Sequence, residues 1–338
     1  MESIQTRIPE GQADGTRLLD QITAVRDYLE QQVLGQELLV GRLLIGLMAN
    51  GHLLVEGAPG LAKTRAVRAM AQCIEGSFHR IQFTPDLLPA DLTGTDVYRP
   101  QTGDFEFQEG PLFHSVLLAD EINRAPAKVQ SALLEAMAER QITVGQRSYP
   151  LSPLFMVMAT QNPIEQEGTY PLPEAQLDRF LLHLNIDYPA AESELKILQL
   201  ARSEALSDIN DSQPSAPPQL SQKTLFAMRK AVLGQYMAPA VESYLVQIIL
   251  ATRDPARFDA DVARWIEFGA SPRATIALDR CARAHAWLHG RDFVSPDDIR
   301  AMVPDVLRHR LILSYEAEAE GVHCDSLLQQ LLSVIPLP

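Results

Sequence analysis

The sequence predicts an α/β domain followed by an all-α domain, and three observations carry that prediction. Short apolar runs of strand length (Leu53 to Val55, Val116 to Ala119, Leu154 to Ala159, Leu181 to Ile186) alternate with stretches of helical period. The first of them runs directly into a glycine-rich turn and then a helix-forming segment. Beyond a Ser-, Asp-, Asn- and Pro-rich stretch at 207–219, every remaining period is helical.

A chain of 338 residues is long enough to bury two cores, and 46% hydrophobic with 21% charged residues is the composition of a soluble globular protein. Lys and Arg total 29 against 43 Asp and Glu, a net charge of −14. No diffuse basic field exists to hold a nucleic-acid backbone, so nucleic acid is not expected as the main partner, although a local basic channel stays open. Cys73, Cys281 and Cys324 have no metal-like spacing and read as reduced, cytosolic residues. The N-terminus lacks the pattern of a signal peptide. The most apolar run, Leu38 to Val55, is broken by Arg42, Gly46, Asn50 and Gly51, so no membrane span is expected and the location expected is cytoplasmic.

In chain order, residues 1–15 are polar and aperiodic and read as a loose tail, and Leu18, Leu19, Ile22, Val25, Tyr28 and Leu29 space a helix over 17–32. Leu34-Gly35 then makes an apolar turn that could wall a base pocket or could be a plain interhelix turn. Gly57-Ala58-Pro59-Gly60-Leu61-Ala62-Lys63-Thr64 follows the first strand and reads as a phosphate cradle. Backbone N–H groups and the positive end of the next helix converge there, Lys63 adds a point charge, and the Thr64 hydroxyl can ligate Mg²⁺. Ala62 stands where the general motif has glycine, which predicts that Ala62 lies in the right-handed first turn of the helix. An ordinary Gly-Pro turn is the plainer alternative.

Val116 to Ala119 leads into Asp120-Glu121. The first acid at a strand end can hold Mg²⁺ and the second can polarise an attacking water, unless the pair simply caps the next helix. Asn162 follows another buried strand, where a polar amide can orient water or phosphate. Val97 to Phe107 and Ile142 to Tyr149 read as hairpins, the first presenting Tyr98, Phe105 and Phe107 as exposed aromatics or folding them back as core. The division expected is a tail over 1–15, an α/β core over 16–206, a linker over 207–220 and a helical domain over 221–338. Within the last, Ser295-Pro296-Asp297-Asp298 is a strong helix start. His285 and His289 lie four apart with no third ligand evident, so a metal site is weakly supported there, and Leu327 to Ile335 reads as a core or docking helix.

These motifs, in this order, resemble the MoxR family of AAA+ ATPases, in the group with an insertion in helix 2. The passages that carry the resemblance are Gly57 to Thr64, Asp120-Glu121-Ile122-Asn123-Arg124-Ala125-Pro126, Gln130 to Arg140, Ala159 to Pro163, Pro171 to Phe180 and Ser271-Pro272-Arg273. The resemblance implies a five-stranded parallel sheet flanked by helices and followed by a helical lid. It implies ATP and Mg²⁺ as ligands, Asn162 as sensor 1, Arg179 as arginine finger and Arg273 as sensor 2. It also implies a chaperone-like motor, often hexameric, that acts on client complexes and works with proteins bearing a von Willebrand factor A domain. A peripheral membrane association through such a partner stays open. The alternatives are an ATP-gated assembly scaffold with little turnover, or a nucleic-acid or chelatase-type motor. Glu121, Asn162 and Arg179 together favour the motor, because a scaffold needs neither a water-polarising acid nor a transition-state arginine.

Overall fold

The computed structural model describes residues 10–163, 168–209 and 216–338. The first half runs α1 (Glu10–Gln32), α2 (Glu37–Met48), β1 (Leu53–Glu56), α3 (Lys63–Gln72), β2 (Phe78–Gln82), α4 (Pro89–Thr93) and the hairpin β3 (Gly94–Arg99) with β4 (Asp104–Glu109). It continues through β5 (Val116–Asp120), α5 (Ala127–Glu139), the hairpin β6 (Gln141–Val144) with β7 (Arg147–Pro150), β8 (Met156–Gln161), α6 (Glu174–Leu177), β9 (Leu182–Asn185) and α7 (Ala191–Ile209). The second half is α8 (Gln222–Leu233), α9 (Pro239–Arg253), α10 (Ala260–Trp265), α11 (Pro272–Leu288), α12 (Pro296–Leu307), α13 (Tyr315–Ala319) and α14 (Cys324–Val334), with short strands between some of them.

Five strands pair in the order β2-β5-β8-β1-β9, all parallel. A parallel sheet is covered on both faces, which is why β5 and β8 are buried almost throughout and read as continuous apolar runs. The pleat sends alternate residues to two cores. Leu54, Leu117, Ala119, Val157 and Ala159 pack with α5, Phe155 and Phe180 on one face. Leu53, Val55, Leu118, Met158 and Leu184 pack with α1 to α3 on the other. That second core continues into the helical half through Met228, Ile248, Leu278 and Val303, so the two halves share apolar packing. The chain returns from α7 pinned to the end of α3, where Leu220 N–H donates to Cys73 O and Glu75 N–H to Leu220 O.

Two differences from the sequence reading have physical causes. The helix expected from Arg17 begins at Glu10, inside the segment read as tail, because a polar stretch with two glycines shows no apolar period although it can continue the turns anchored by Ile22, Val25 and Leu29. Residues 1–9 of that tail and 210–215 of the linker lie outside the described residues. The three aromatics of the first hairpin are not equivalent. Tyr98 and Phe105 are cross-strand partners with rings 5.3 Å apart, 52% and 67% exposed. Phe107, nearer the base, stacks at 4.1 Å on Tyr149 of the second hairpin, with Phe113 on its edge. The neck of this hairpin needs glycine twice: a Cβ on Gly94 would meet Gln108 O at 2.2 Å, and one on Gly110 would meet Leu92 O at 2.3 Å.

In the helical half, Ser295 N–H and Oγ both donate to Asp298 Oδ2 at 2.8 Å, completing the expected helix start. His285 Nδ1 lies 2.6 Å from Asp298 Oδ1 and His289 Nδ1 lies 2.7 Å from His285 O, so both rings belong to local packing. Leu327, Leu328, Leu331 and Leu332 bury α14. Among the described residues no helix is long and apolar enough to cross a membrane.

His52, ahead of β1, is buried and its Nδ1 accepts the Val157 N–H at 3.0 Å. Burial first, then the nearby Arg140 charge, pull its pKa down to about 3. The native state therefore keeps it neutral while the unfolded chain takes a proton below about pH 6.5. Stability from this group is complete above that pH and is lost as the pH falls toward 3. Between pH 6.5 and 4.5 the loss is about 2 to 3 kcal/mol. Denaturant unfolding across that range should show His52→Asn, which can still accept the N–H, losing less stability than the parent; equal losses would show that His52 is not the titrating group.

Candidate functional site

The site grows from the carboxyl ends of β1, β5 and β8. β1 ends at Glu56 and the backbone turns at Gly57, where a Cβ would lie 2.8 Å from Ile186 O, so no side chain fits. Gly60 has φ +85 and Ala62 φ +56 with ψ +17, and α3 starts at Lys63. Ala62 is thus left-handed, not in the right-handed first turn as expected from sequence. Alternating handedness turns successive N–H groups to one side, and that need outweighs the cost of about 1 to 2 kcal/mol for a left-handed alanine. Lys63 Nζ donates to Gly57 O at 2.6 Å, its ammonium pulled down by burial and supported by Asp120, Glu121 and Glu56.

Across the cradle, one hydroxyl pins both acids. Thr160 Oγ1 donates to Asp120 Oδ1 at 2.6 Å and accepts the Glu121 N–H at 2.9 Å. Asp120 Oδ2 takes Arg80 at 2.6 Å. Glu121 has φ +56, which swings its side chain off the strand line, and its Oε2 accepts from Gln82 Nε2 at 2.7 Å and from Arg124 Nη1 at 2.9 Å. Lys63, Thr64, Asp120, Glu121 and Asn162 line one cavity of about 380 Å³ together with Arg80, Gln82 and Thr160. A second cavity of about 240 Å³ lies on the other side of Pro59 to Ala62. Leu34 walls it as the sequence reading allowed. Gly35 does not line it; with φ +73, its missing Cβ lets Ser193 come close.

Arg179 and Arg273 are not in either cavity. Arg179 Nη1 donates to Leu134 O at 2.6 Å. Arg273 is largely exposed, with Nη1 3.5 Å from Asp178 Oδ2. Asp178 also accepts Ser271 Oγ at 3.0 Å and Arg310 Nε at 2.8 Å, and Arg310 is buried. Arg273 and Arg310 thus meet the Asp178 carboxylate where the helical half joins the sheet domain, while Arg179, the next residue along the chain, turns to Leu134. Sequence reasoning missed Arg80, Gln82, Thr160 and Arg124. A signal existed for the first two: Arg80 and Gln82 lie two apart on β2, so they share a side of it, and Gln82 pairs with Asp120.

The oxygen donors fit a hard divalent cation, since the Thr64 hydroxyl and the Asp120 carboxylate face one polar cavity beside a lysine. Such an arrangement, a glycine-rich cradle beside paired strand-end acids, defines a P-loop nucleotide hydrolase. A family model described as "ATPase family associated with various cellular activities (AAA)" matches residues 52–182, and a model of the AAA lid domain matches residues 259–331. The chain is 46% identical to "Chaperone MoxR1" of Mycobacterium tuberculosis, over 90% of this chain and 79% of that one. It is 35% identical to "Protein MoxR" of Paracoccus denitrificans, over 90% and 93%. A crystal structure of a proposed ATPase from Cytophaga hutchinsonii, 43% identical, superposes with a TM-score of 0.88 over 97% of this chain and 98% of the other. The chain belongs to the MoxR family of AAA+ ATPases.

Proposed function

We propose that this ATPase is a Mg²⁺-dependent, ring-forming motor of the cytoplasm that remodels, matures or assembles a client protein complex. The observation that carries the reading is the single cavity in which Lys63, Thr64, Asp120, Glu121 and Asn162 meet. Lys63 and the cradle N–H groups hold the phosphates, Thr64 and Asp120 hold Mg²⁺, Glu121 takes the proton of the attacking water and Asn162 orients that water. The cation would neutralise charge on the phosphate oxygens. Arg80 bonds Asp120, and Gln82 and Arg124 bond Glu121, which supports reading these three residues as holders of a resting arrangement that loosens when the acids act. The base lies against Leu34 in the apolar cavity.

Arg179 and Arg273 stand away from their own subunit's cavity, which supports their acting on a neighbour's nucleotide. That placement supports a ring. The division proposed is a core over 16–206, a linker over 207–220 and a lid over 221–338. Tyr98 and Phe105, paired and exposed at the outer end of a hairpin the chemistry does not need, are the proposed client contact. A von Willebrand factor A domain protein is the proposed co-working partner.

Three outcomes follow. Glu121→Gln should retain ATP affinity within about twofold and lose turnover by about 10²-fold or more, read by equilibrium binding and phosphate release; parental turnover would remove Glu121 as the base. Mixing Arg179→Ala with Lys63→Ala subunits should restore activity that neither has alone, because an arginine acting in trans contributes on the order of 10³. Additive inactivity would place Arg179 in its own subunit's reaction or outside catalysis. Replacing Tyr98 and Phe105 by Ser should leave basal hydrolysis unchanged while client-stimulated hydrolysis disappears; a fall in thermal stability and basal rate together would mark the two rings as core.

A further inference from the structure

The turn that follows Glu121 is sealed inside the protein. Ile122 and Ala125 are fully buried, and the chain between them makes a single 3₁₀ turn, Ile122–Arg124, before α5 begins at Ala127. Backbone carbonyls shut away from water in such a place need donors from elsewhere in the fold. Gln130, near the start of α5, supplies them. A helical side chain leans toward the N-terminus of its helix, so this one reaches back past Pro126 to the turn. Its Nε2 donates to Ile122 O at 3.3 Å, to Ala125 O at 3.1 Å and to Tyr170 O at 3.0 Å.

The bond to Tyr170 closes a frame around the turn. Tyr170 N–H donates to Asn123 O at 2.6 Å, so the segment ahead of α6 and the turn are tied both directly and through the Gln130 amide. Gln130 is wholly buried, and its Oε1 has no hydrogen-bond partner among the described residues. A buried acceptor left unmet costs stability, and a methionine of nearly the same length would avoid that cost. The donor end is therefore what this position requires. Three carbonyls crowd it, and of the two ends of the amide only the NH₂ can face them. Gln130 lines neither the cradle cavity nor the apolar one.

Resting on the reading of Glu121 as the base, we infer that Gln130 is its positioning residue, holding the backbone of the turn while the Glu121 carboxylate exchanges its resting partners for the attacking water. Gln82 and Arg124 grip the carboxylate itself. Gln130 grips only the backbone that follows it, so its bonds are compatible with both arrangements. Glu121 has φ +56, and its side chain is aimed by that handedness. A tilt of the next peptide planes would carry the carboxylate with it. Gln130 acts from outside the cavity, through the Ile122 and Ala125 carbonyls.

The test separates turnover from binding in the full chain. Gln130→Met keeps the length of the side chain and removes its donors. Its kcat for ATP should fall about 10- to 100-fold, with KM and ADP affinity within about twofold of the parent, because a displaced base loses rate rather than ligand. Gln130→Glu restores one donor only while its carboxyl is protonated, and burial raises that pKa. The ratio of its kcat to the parent's should therefore climb as the pH is lowered from about 8 to about 6, while the same ratio for Gln130→Met stays level. In a Glu121→Gln background, Gln130→Met should cost no further rate, since members of one unit do not lose rate independently. A kcat for Gln130→Met within about twofold of the parent would overturn the proposal, as would a fall in ADP affinity by the same factor as kcat, or a further loss in the double variant. If Gln130→Met does not fold, Gln130→Glu decides alone, and a ratio level with pH overturns the proposal. Parental turnover by Glu121→Gln would instead remove the base reading itself, a result read from that single variant with Gln130 intact.

Discussion

The parallel register of β5 between β2 and β8 is the constraint on which the rest depends. Gln82 pairs with Asp120, and Ala119 pairs with Ala159, so Thr160 falls beside the first acid. Parallel strands bring their carboxyl ends to one rim, and the cradle after β1, the acids after β5 and the amide after β8 therefore share it. A one-residue slip of β5 would carry the Asp120 side chain to the opposite face and detach it from Thr160. The hydroxyl of Thr160 makes the register chemically consequential, because it fixes a carboxylate and the backbone of the next residue at once.

The same rim is where the helical half attaches. Glu56, the last residue before the cradle, faces His183 on β9, and this bond holds its carboxyl below the usual range. The His183 carbonyl accepts from Arg308, which also binds Asp305 and Asp325. Two residues on, buried Arg310 satisfies Asp178 and the Phe180 carbonyl. Removing one member of such a buried charged set strands its partners, so the end of α12 cannot leave the sheet without large cost. The lid is therefore joined to the nucleotide domain by polar geometry as well as by shared apolar core.

That attachment explains the separation of the charged groups. Asp178 is occupied from the lid side by Arg310 and Arg273, and Arg179 bonds the Leu134 carbonyl, so neither Arg179 nor Arg273 lines the cradle cavity of its own chain. The hairpins follow a similar logic on another surface. Two glycines narrow the neck of the first, its inner ring stacks on the second hairpin, and its outer pair is left to solvent.

What the sequence determined by itself was whatever depends on neighbours a turn or two away. Apolar runs marked the sheet strands, the Gly57 to Thr64 octapeptide marked the cradle, Asp120-Glu121 and Asn162 marked the strand ends, and Ser295 with Asp298 marked a helix start. Order and spacing were enough to place the chain in its family. Only the tertiary structure decided the rest, because its causes lie far off in the chain. Asp120 meets Thr160 across 40 residues and Arg65 meets Glu204 across 139. Phe107 is covered by Tyr149 of another hairpin, a fact no alternation pattern contains. Ala62 is left-handed because the whole turn must aim its N–H groups inward, which local propensity opposes. Local periodicity records which face of an element is apolar; what that face meets is set by the packing of the whole chain.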